Sequence, residues 1–190
     1  LYLMGKIVLP HDSKLESLSV QRMMLSIFFM TFSLYLGSGL FGRPIHGLIY
    51  SYLPPKLTEE VGKISEDNGG EEFLWYTELD DAFVEANTNG KNIFVDFTGY
   101  TCTNCRWMES NIFTKDEVKK RFKDFVLVRL YTDGGNNYRA KQQYEIDRFG
   151  TAALPYYVIL SPEDDVLGKY PGMTRNLKEF LEFLDKGLAG

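Results

Sequence analysis

Asn92-Ile93-Phe94-Val95-Asp96-Phe97-Thr98-Gly99-Tyr100-Thr101-Cys102-Thr103-Asn104-Cys105 carries both cysteines of this 190-residue chain across the junction of two differently patterned runs. Its first half is rich in β-branched and aromatic residues with no breaker inside, which predicts a buried strand ending at Gly99. After Thr101 the spacing turns helical, with Trp107, Met108, Ile112 and Phe113 falling on one side, so Cys102 lies at or near a helix N-terminus. Unpaired backbone N–H groups and the positive end of the helix dipole stabilise a thiolate there, bringing a cysteine pKa from ~8.5 down to about 3.5–7.5. Cys102 is therefore the expected nucleophile. Cys105, three residues on and on the same helix face, is placed to attack a mixed disulfide formed through Cys102 and release the reduced partner.

Two plainer roles for the pair fit less well. A bridge closing so short a loop removes little denatured-state entropy, so a purely structural disulfide would add little stability. A zinc site needs about four ligands. No second cysteine pair exists, and His11 and His46 lie far along the chain beside an apolar segment. No metal and no bound cofactor are expected beyond the redox-active pair itself.

Charge divides the chain. Residues 1–56 carry five Lys/Arg against two Asp/Glu, and residues 57–190 carry sixteen against twenty-four, giving +3 and −8 within the net −5. The acidic part has no basic stripe with interleaved aromatics, which argues against nucleic-acid binding. Between Arg22 and Arg43, twenty residues, Met23–Gly42, carry no charge. As a helix they would reach ~30 Å, the thickness of the hydrocarbon layer, with Ser26, Thr31 and Ser33 returning their hydroxyls to the backbone. A buried core helix would show a polar face, and this stretch shows almost none. Its length also exceeds the ~7–15-residue core of a cleaved secretory signal. Residues 20–43 are therefore expected to form one transmembrane helix in contact with lipid. Flanking lysines and arginines lean slightly towards a cytoplasmic N-terminal side. The opening Leu1-Tyr2-Leu3-Met4-Gly5 resembles the end of an earlier apolar segment, so residues 1–19 are expected to be the membrane-proximal end of a longer protein. Pro54-Pro55 and the polar, acidic run to Gly70 predict a linker over 44–70.

From residue 71 to 190 strand and helix signals alternate, which predicts an α/β domain. Strands are expected at Phe73–Tyr76, Asn92–Thr98, Phe125–Tyr131, Tyr156–Leu160 and Val166–Tyr170. Helices are expected at Leu79–Asn87, after Cys102 with a break near Asn111–Thr114, at Tyr138–Phe149 and at Leu177–Leu188. Asn89-Gly90 and Asp133-Gly134-Gly135 supply the turns. Trp107, Phe113, Phe122 and Phe125 are expected in the core.

Val95-Asp96-Phe97, the Cys-x-x-Cys pair five residues later and Leu154-Pro155 opening a later strand together resemble the thioredoxin family. More narrowly, Phe97 through Glu109 is similar to the C-terminal domain of the thiol:disulfide interchange protein DsbD family. Gly5-Lys6-Ile7-Val8-Leu9-Pro10-His11-Asp12-Ser13, the single span and Tyr52-Leu53-Pro54-Pro55 resemble that family's last membrane helix and its exit. The likeness implies a thioredoxin-like fold, a central mixed sheet flanked by helices, behind one transmembrane helix. It implies a protein-disulfide reductase in the bacterial inner membrane with its soluble domain in the periplasm. An upstream membrane relay domain would be the electron donor and periplasmic thioredoxin-like proteins the acceptors.

The resemblance also carries residue roles. Asp96 matches a buried acid near the pair, whose pKa burial should raise and which would exchange a proton with Cys105, the favoured reading over a strand position that simply points it into solvent. Glu109 matches a second such acid, or is simply an exposed salt-bridge residue. Leu154-Pro155 matches a cis bond facing the cysteines, beside which a substrate strand docks, and Tyr100, Thr103, Asn104 and Leu154 are assigned to partner docking. Tyr100 stands where thioredoxins carry tryptophan, and Thr103-Asn104 where they carry Gly-Pro. The competing readings are a thiol-based copper or apocytochrome binding protein, which would want a third soft ligand, and a membrane-tethered oxidase, since direction of flow depends on potential.

Overall fold

The computed structural model describes Ile7 and residues 19–40, 63–67 and 72–189. Most of the expected membrane-proximal segment and of the linker, with Pro54-Pro55, lies outside the described residues. The chain divides into two units, residues 1–49 and 50–190. In the first, α1 (Val20–Leu40) is 21 residues long and rises ~30 Å. Among the described residues it is the helix long and apolar enough to cross a bilayer. Met24, Phe28, Met30 and Leu34 are exposed on it, and the Ser26 hydroxyl donates to the Arg22 carbonyl at 2.7 Å, returning to the backbone as expected.

The second unit runs β1 (Lys63–Asp67), β2 (Glu72–Tyr76), α2 (Leu79–Asn89), β3 (Ile93–Thr98), α3 (Thr103–Asn111), α4 (Asp116–Phe122), β4 (Val126–Tyr131), α5 (Tyr138–Phe149), β5 (Tyr156–Leu160), β6 (Val166–Pro171) and α6 (Leu177–Ala189). Strand order across the sheet is β1-β2-β4-β3-β5-β6. The strands β2, β4 and β3 are parallel, while β5 and β6 turn antiparallel on one side and β1 on the other. This is the thioredoxin-like α/β arrangement expected from the sequence. One strand was not expected: Lys63–Asp67, within the stretch read as linker, pairs along the whole of β2. Its polar composition hides it, because an edge strand is held by backbone pairing and needs no apolar alternation.

Every residue of β3, β4 and β5 is buried, because helices cover both faces of the sheet and leave no solvent side. Alternation along each strand then sorts side chains between two cores. One holds Phe94 of β3 with Trp75, Phe113, Phe122, Tyr157 and Phe180. Phe94 stacks on Tyr157 at 5.8 Å and meets Phe113 and Phe180 edge-on. The other holds Val95, Phe97, Val128, Leu130 and Val158 with Ala82 and Ala86 of α2. The expected core aromatics Phe113, Phe122 and Phe125 are buried, and Trp107 packs half-buried against the first core. The helix after Cys102 ends at Asn111 and α4 begins at Asp116, the break read from the sequence. Gly90 closes α2 in the left-handed conformation, φ 63°, donating its N–H to the Ala86 carbonyl.

Glu145 of α5 is an exception in this apolar setting. It is 0% exposed, neither carboxylate oxygen has a hydrogen-bond partner, and burial pushes its pKa up from 4.5 to about 7. Between those values the unfolded chain releases the proton and the folded one keeps it, so stability falls as pH rises through this window and is level above it. Denaturant midpoints measured from pH 4.5 to 8 should decline by an amount equivalent to about 3 kcal/mol from this one group. In Glu145→Gln that part of the slope should disappear.

Candidate active site

The turn joining β3 to α3 builds the site. Gly99 carbonyl accepts the Cys102 N–H at 3.2 Å, reversing the chain so that Cys102 becomes the N-cap of α3. Its Sγ accepts the Cys105 N–H at 3.2 Å, in the place where a serine or aspartate oxygen usually caps a helix. Cys102 and Cys105 form a disulfide with Cα atoms 5.3 Å apart. They differ in access: Cys102 is half-exposed, whereas Cys105 is 1% exposed. A partner sulfur can therefore reach Cys102, at the positive end of a helix, and not Cys105.

The Leu154-Pro155 bond is cis, as the resemblance implied. Pro155 is buried, and its carbonyl accepts the Gly172 N–H at 2.9 Å. A Cβ built on Gly99 would come within 3.0 Å of Leu154 Cδ1, so the proline loop and the cysteine turn touch. Tyr100 is half-buried, with its ring on Tyr131 at 4.1 Å between centroids, and Thr103 and Asn104 are exposed on the first turn of α3. The residues assigned to docking thus share one surface region with Cys102.

Asp96 and Glu109 are both buried, and neither is the exposed residue that was the alternative for each. The solvent-pointing orientation of Asp96 fails because helices cover that face of β3 too. The exposed salt bridge expected as the other reading of Glu109 is instead a buried one: Arg106 Nη1 lies 2.7 Å from Glu109 Oε2, at 3% and 6% side-chain exposure. Arg129 is 0% exposed, with Nε 3.2 Å from Asp96 Oδ2 and 3.9 Å from Glu109 Oε1. Arg106 also donates to Thr98 Oγ1 at 3.2 Å, and the Arg129 guanidinium lies 4.2 Å from the centre of the Trp75 ring. Two carboxylates and two guanidiniums make a buried quartet of zero formal charge. The expectation that burial alone sets the behaviour of Asp96 omitted its counter-charge. On the far side of Asp96 in the sheet, Tyr157 has its pKa raised well above 10 by burial first and by the negative charges of Asp96 and Glu109 next.

The sequence reading missed Arg106 and Arg129. Arg129 was legible as the one charged residue inside the apolar run Val126–Tyr131, and register sets it directly opposite Asp96. Arg106 had no comparable signal, since a helix surface commonly carries arginine.

Removing one member of a buried ion pair strands the other charge and typically costs 3–5 kcal/mol. Arg129→Met should lower stability by about that much. The double variant Arg129→Met with Asp96→Leu should recover a large part of the loss. Urea denaturation of the three proteins under oxidising conditions checks both expectations.

Comparison with known proteins agrees with this geometry. Residues 74–162 match the family described as Thioredoxin-like. The thiol:disulfide interchange protein DsbD of Campylobacter jejuni (strain RM1221) is 27% identical over 73 residues, 38% of this chain and 13% of that protein. The chloroplastic thioredoxin-like protein HCF164 of Oryza sativa subsp. japonica is 31% identical over 108 residues, 56% of this chain and 37% of that protein. The chain thus spans well under half the length of the curated relatives it matches. The solution structure of a thioredoxin from Thermus thermophilus superposes with a TM-score of 0.50 at 23% identity, covering 59% of this chain and 84% of the other, a likeness of fold. From β2 to α6 the chain thus has a thioredoxin-like fold, with an oxidised cysteine pair at a helix N-terminus of the kind found in disulfide-oxidoreductase domains.

Proposed function

We propose that this chain is the membrane-tethered terminal segment of a DsbD-like relay, a reductase that passes electrons by thiol–disulfide exchange to extracytoplasmic thioredoxin-like partners. The unequal exposure of the two sulfurs carries this reading. Reduced Cys102, ionised at the start of α3, attacks a partner disulfide: its sulfur bonds to one partner sulfur while the partner S–S bond breaks, and the departing thiolate takes up a proton. Cys105, deprotonated, then attacks Cys102 Sγ. The Cys102–Cys105 bond forms, the mixed disulfide breaks, and the partner leaves with both its sulfurs reduced and two electrons gained.

The carboxylates Asp96 and Glu109 are the groups proposed to influence deprotonation of the buried Cys105, in concert with Arg106 and Arg129. Tyr100, Thr103, Asn104 and Leu154 would receive the partner segment, with Pro155 keeping the backbone beside them in its cis path. Supporting the relay reading are α1, uncharged from Met23 onward, and the likeness to DsbD over 73 residues. In that arrangement α1 holds the domain at the membrane, the residues between α1 and β1 connect the two, and the reducing equivalents arrive from an upstream membrane domain. A dithiol kept reduced in an oxidising compartment requires such a supply.

Trapping tests the assignment. Cys105→Ser expressed in a bacterial envelope should accumulate a mixed disulfide with partner proteins through Cys102, visible as reductant-sensitive adducts, and Cys102→Ser should not. Equal trapping by the two variants would overturn the division of roles.

A further inference from the structure

Asp133, just past the end of β4, was read from the sequence only as part of an Asp-Gly-Gly turn. In the structure its carboxylate grips the turn that carries Cys102. One oxygen accepts the Tyr100 N–H at 2.7 Å, and the other accepts the Thr101 N–H at 2.9 Å and the Thr101 hydroxyl at 2.8 Å. Gly99 leaves room for it, since a Cβ there would lie 2.6 Å from Asp133 Oδ2. The two glycines that follow make space for the Tyr100 ring: a Cβ on Gly134 would come within 3.2 Å of that ring, and one on Gly135, at φ +81°, within 2.7 Å of its hydroxyl. Arg106 also donates to the Gly99 carbonyl at 3.5 Å. Asp133-Gly134-Gly135 is thus shaped around residues 99–101.

Oxidised, the pair is held by its own covalent bond. That restraint vanishes on reduction and is absent from the mixed disulfide, where Cys102 is tied to the partner instead. Resolution then requires Cys105, buried and fixed on α3, to meet Cys102 Sγ in line with the bond that breaks. We propose that Asp133 is a positioning residue for this second step: it holds the turn 99–102 so that the sulfur of Cys102 stays within reach of Cys105 while the partner is attached. Asp133 touches neither sulfur and acts through the backbone of Tyr100 and Thr101. The inference rests on the exchange mechanism proposed above.

A small aromatic disulfide, dithiobis(nitrobenzoate), separates the two steps, since each molecule of reduced protein releases one coloured thiolate when Cys102 attacks and a second when Cys105 resolves. In stopped-flow measurements on the full chain in detergent, Asp133→Ala should slow the second release by roughly 10- to 100-fold, the scale of a small misplacement of reacting atoms. The rate of the first release and its pH midpoint should stay close to wild type. Asp133→Asn, which retains an acceptor oxygen, should fall between the two and covers the case in which the alanine variant does not fold. An unchanged second release in a folded variant, with or without a lower denaturation midpoint, overturns the proposal, as does a change confined to the first release or its pH midpoint. Cys102→Ser run alongside tests the underlying mechanism separately: if it still gives the first release at the wild-type rate, the nucleophile assignment fails, whatever Asp133 does.

Discussion

The ion pair between Asp96 and Arg129 constrains everything around the cysteines. It bridges neighbouring parallel strands at directly opposed positions, 3.2 Å apart and excluded from solvent. Charges so placed are tolerated only when matched, because the cost of desolvating either one alone exceeds what packing returns. Arg129 matches Asp96 and approaches Glu109 on α3, and Glu109 in turn holds Arg106. The helix that presents the disulfide is thereby fixed to the sheet by charge as well as by Met108 and by Ile112 and Phe113 just past its end. Cys105 shares α3 with Arg106 and Glu109, so the helix that carries the buried cysteine also carries half of this charge network.

Much of the fold was legible because most elements of the second unit obey local rules. Helix α2 ends at the Asn-Gly pair, and the break between α3 and α4 falls where it was read, near Asn111–Thr114. The buried strands are uninterrupted β-branched and aromatic runs. Local propensity and global placement agree in these elements, which is what lets a single sequence be read. Strand β1 escaped notice because Lys63–Asp67 looks like a solvated linker and its order comes from its partner strand.

At the site the balance differs. Placement of Cys102 at a helix start follows from where strand spacing gives way to helical spacing, a one-dimensional signal. Ion pairing is three-dimensional: Asp96 and Arg129 are 33 residues apart, and their meeting depends on the register of β3 against β4. The Asp133 bonds to Tyr100 and Thr101 are of the same kind, joining the ends of two parallel strands. A turn signal in sequence records that the chain reverses there, and says nothing of what the side chain at its head will hold. The region proposed for docking combines both kinds of information, since Leu154-Pro155 was marked by resemblance while its approach to Gly99 required the fold.

The burial of Cys105 also governs what happens when an oxidant such as peroxide reaches the reduced dithiol. Only Cys102 is open to it, so the first oxygen is added there as a sulfenic acid. Cys105 sits next to that sulfur, and its attack expels water and restores the disulfide. Irreversible overoxidation needs a second oxidant molecule to arrive first. Hiding one thiol behind the other thus lets the pair repair itself.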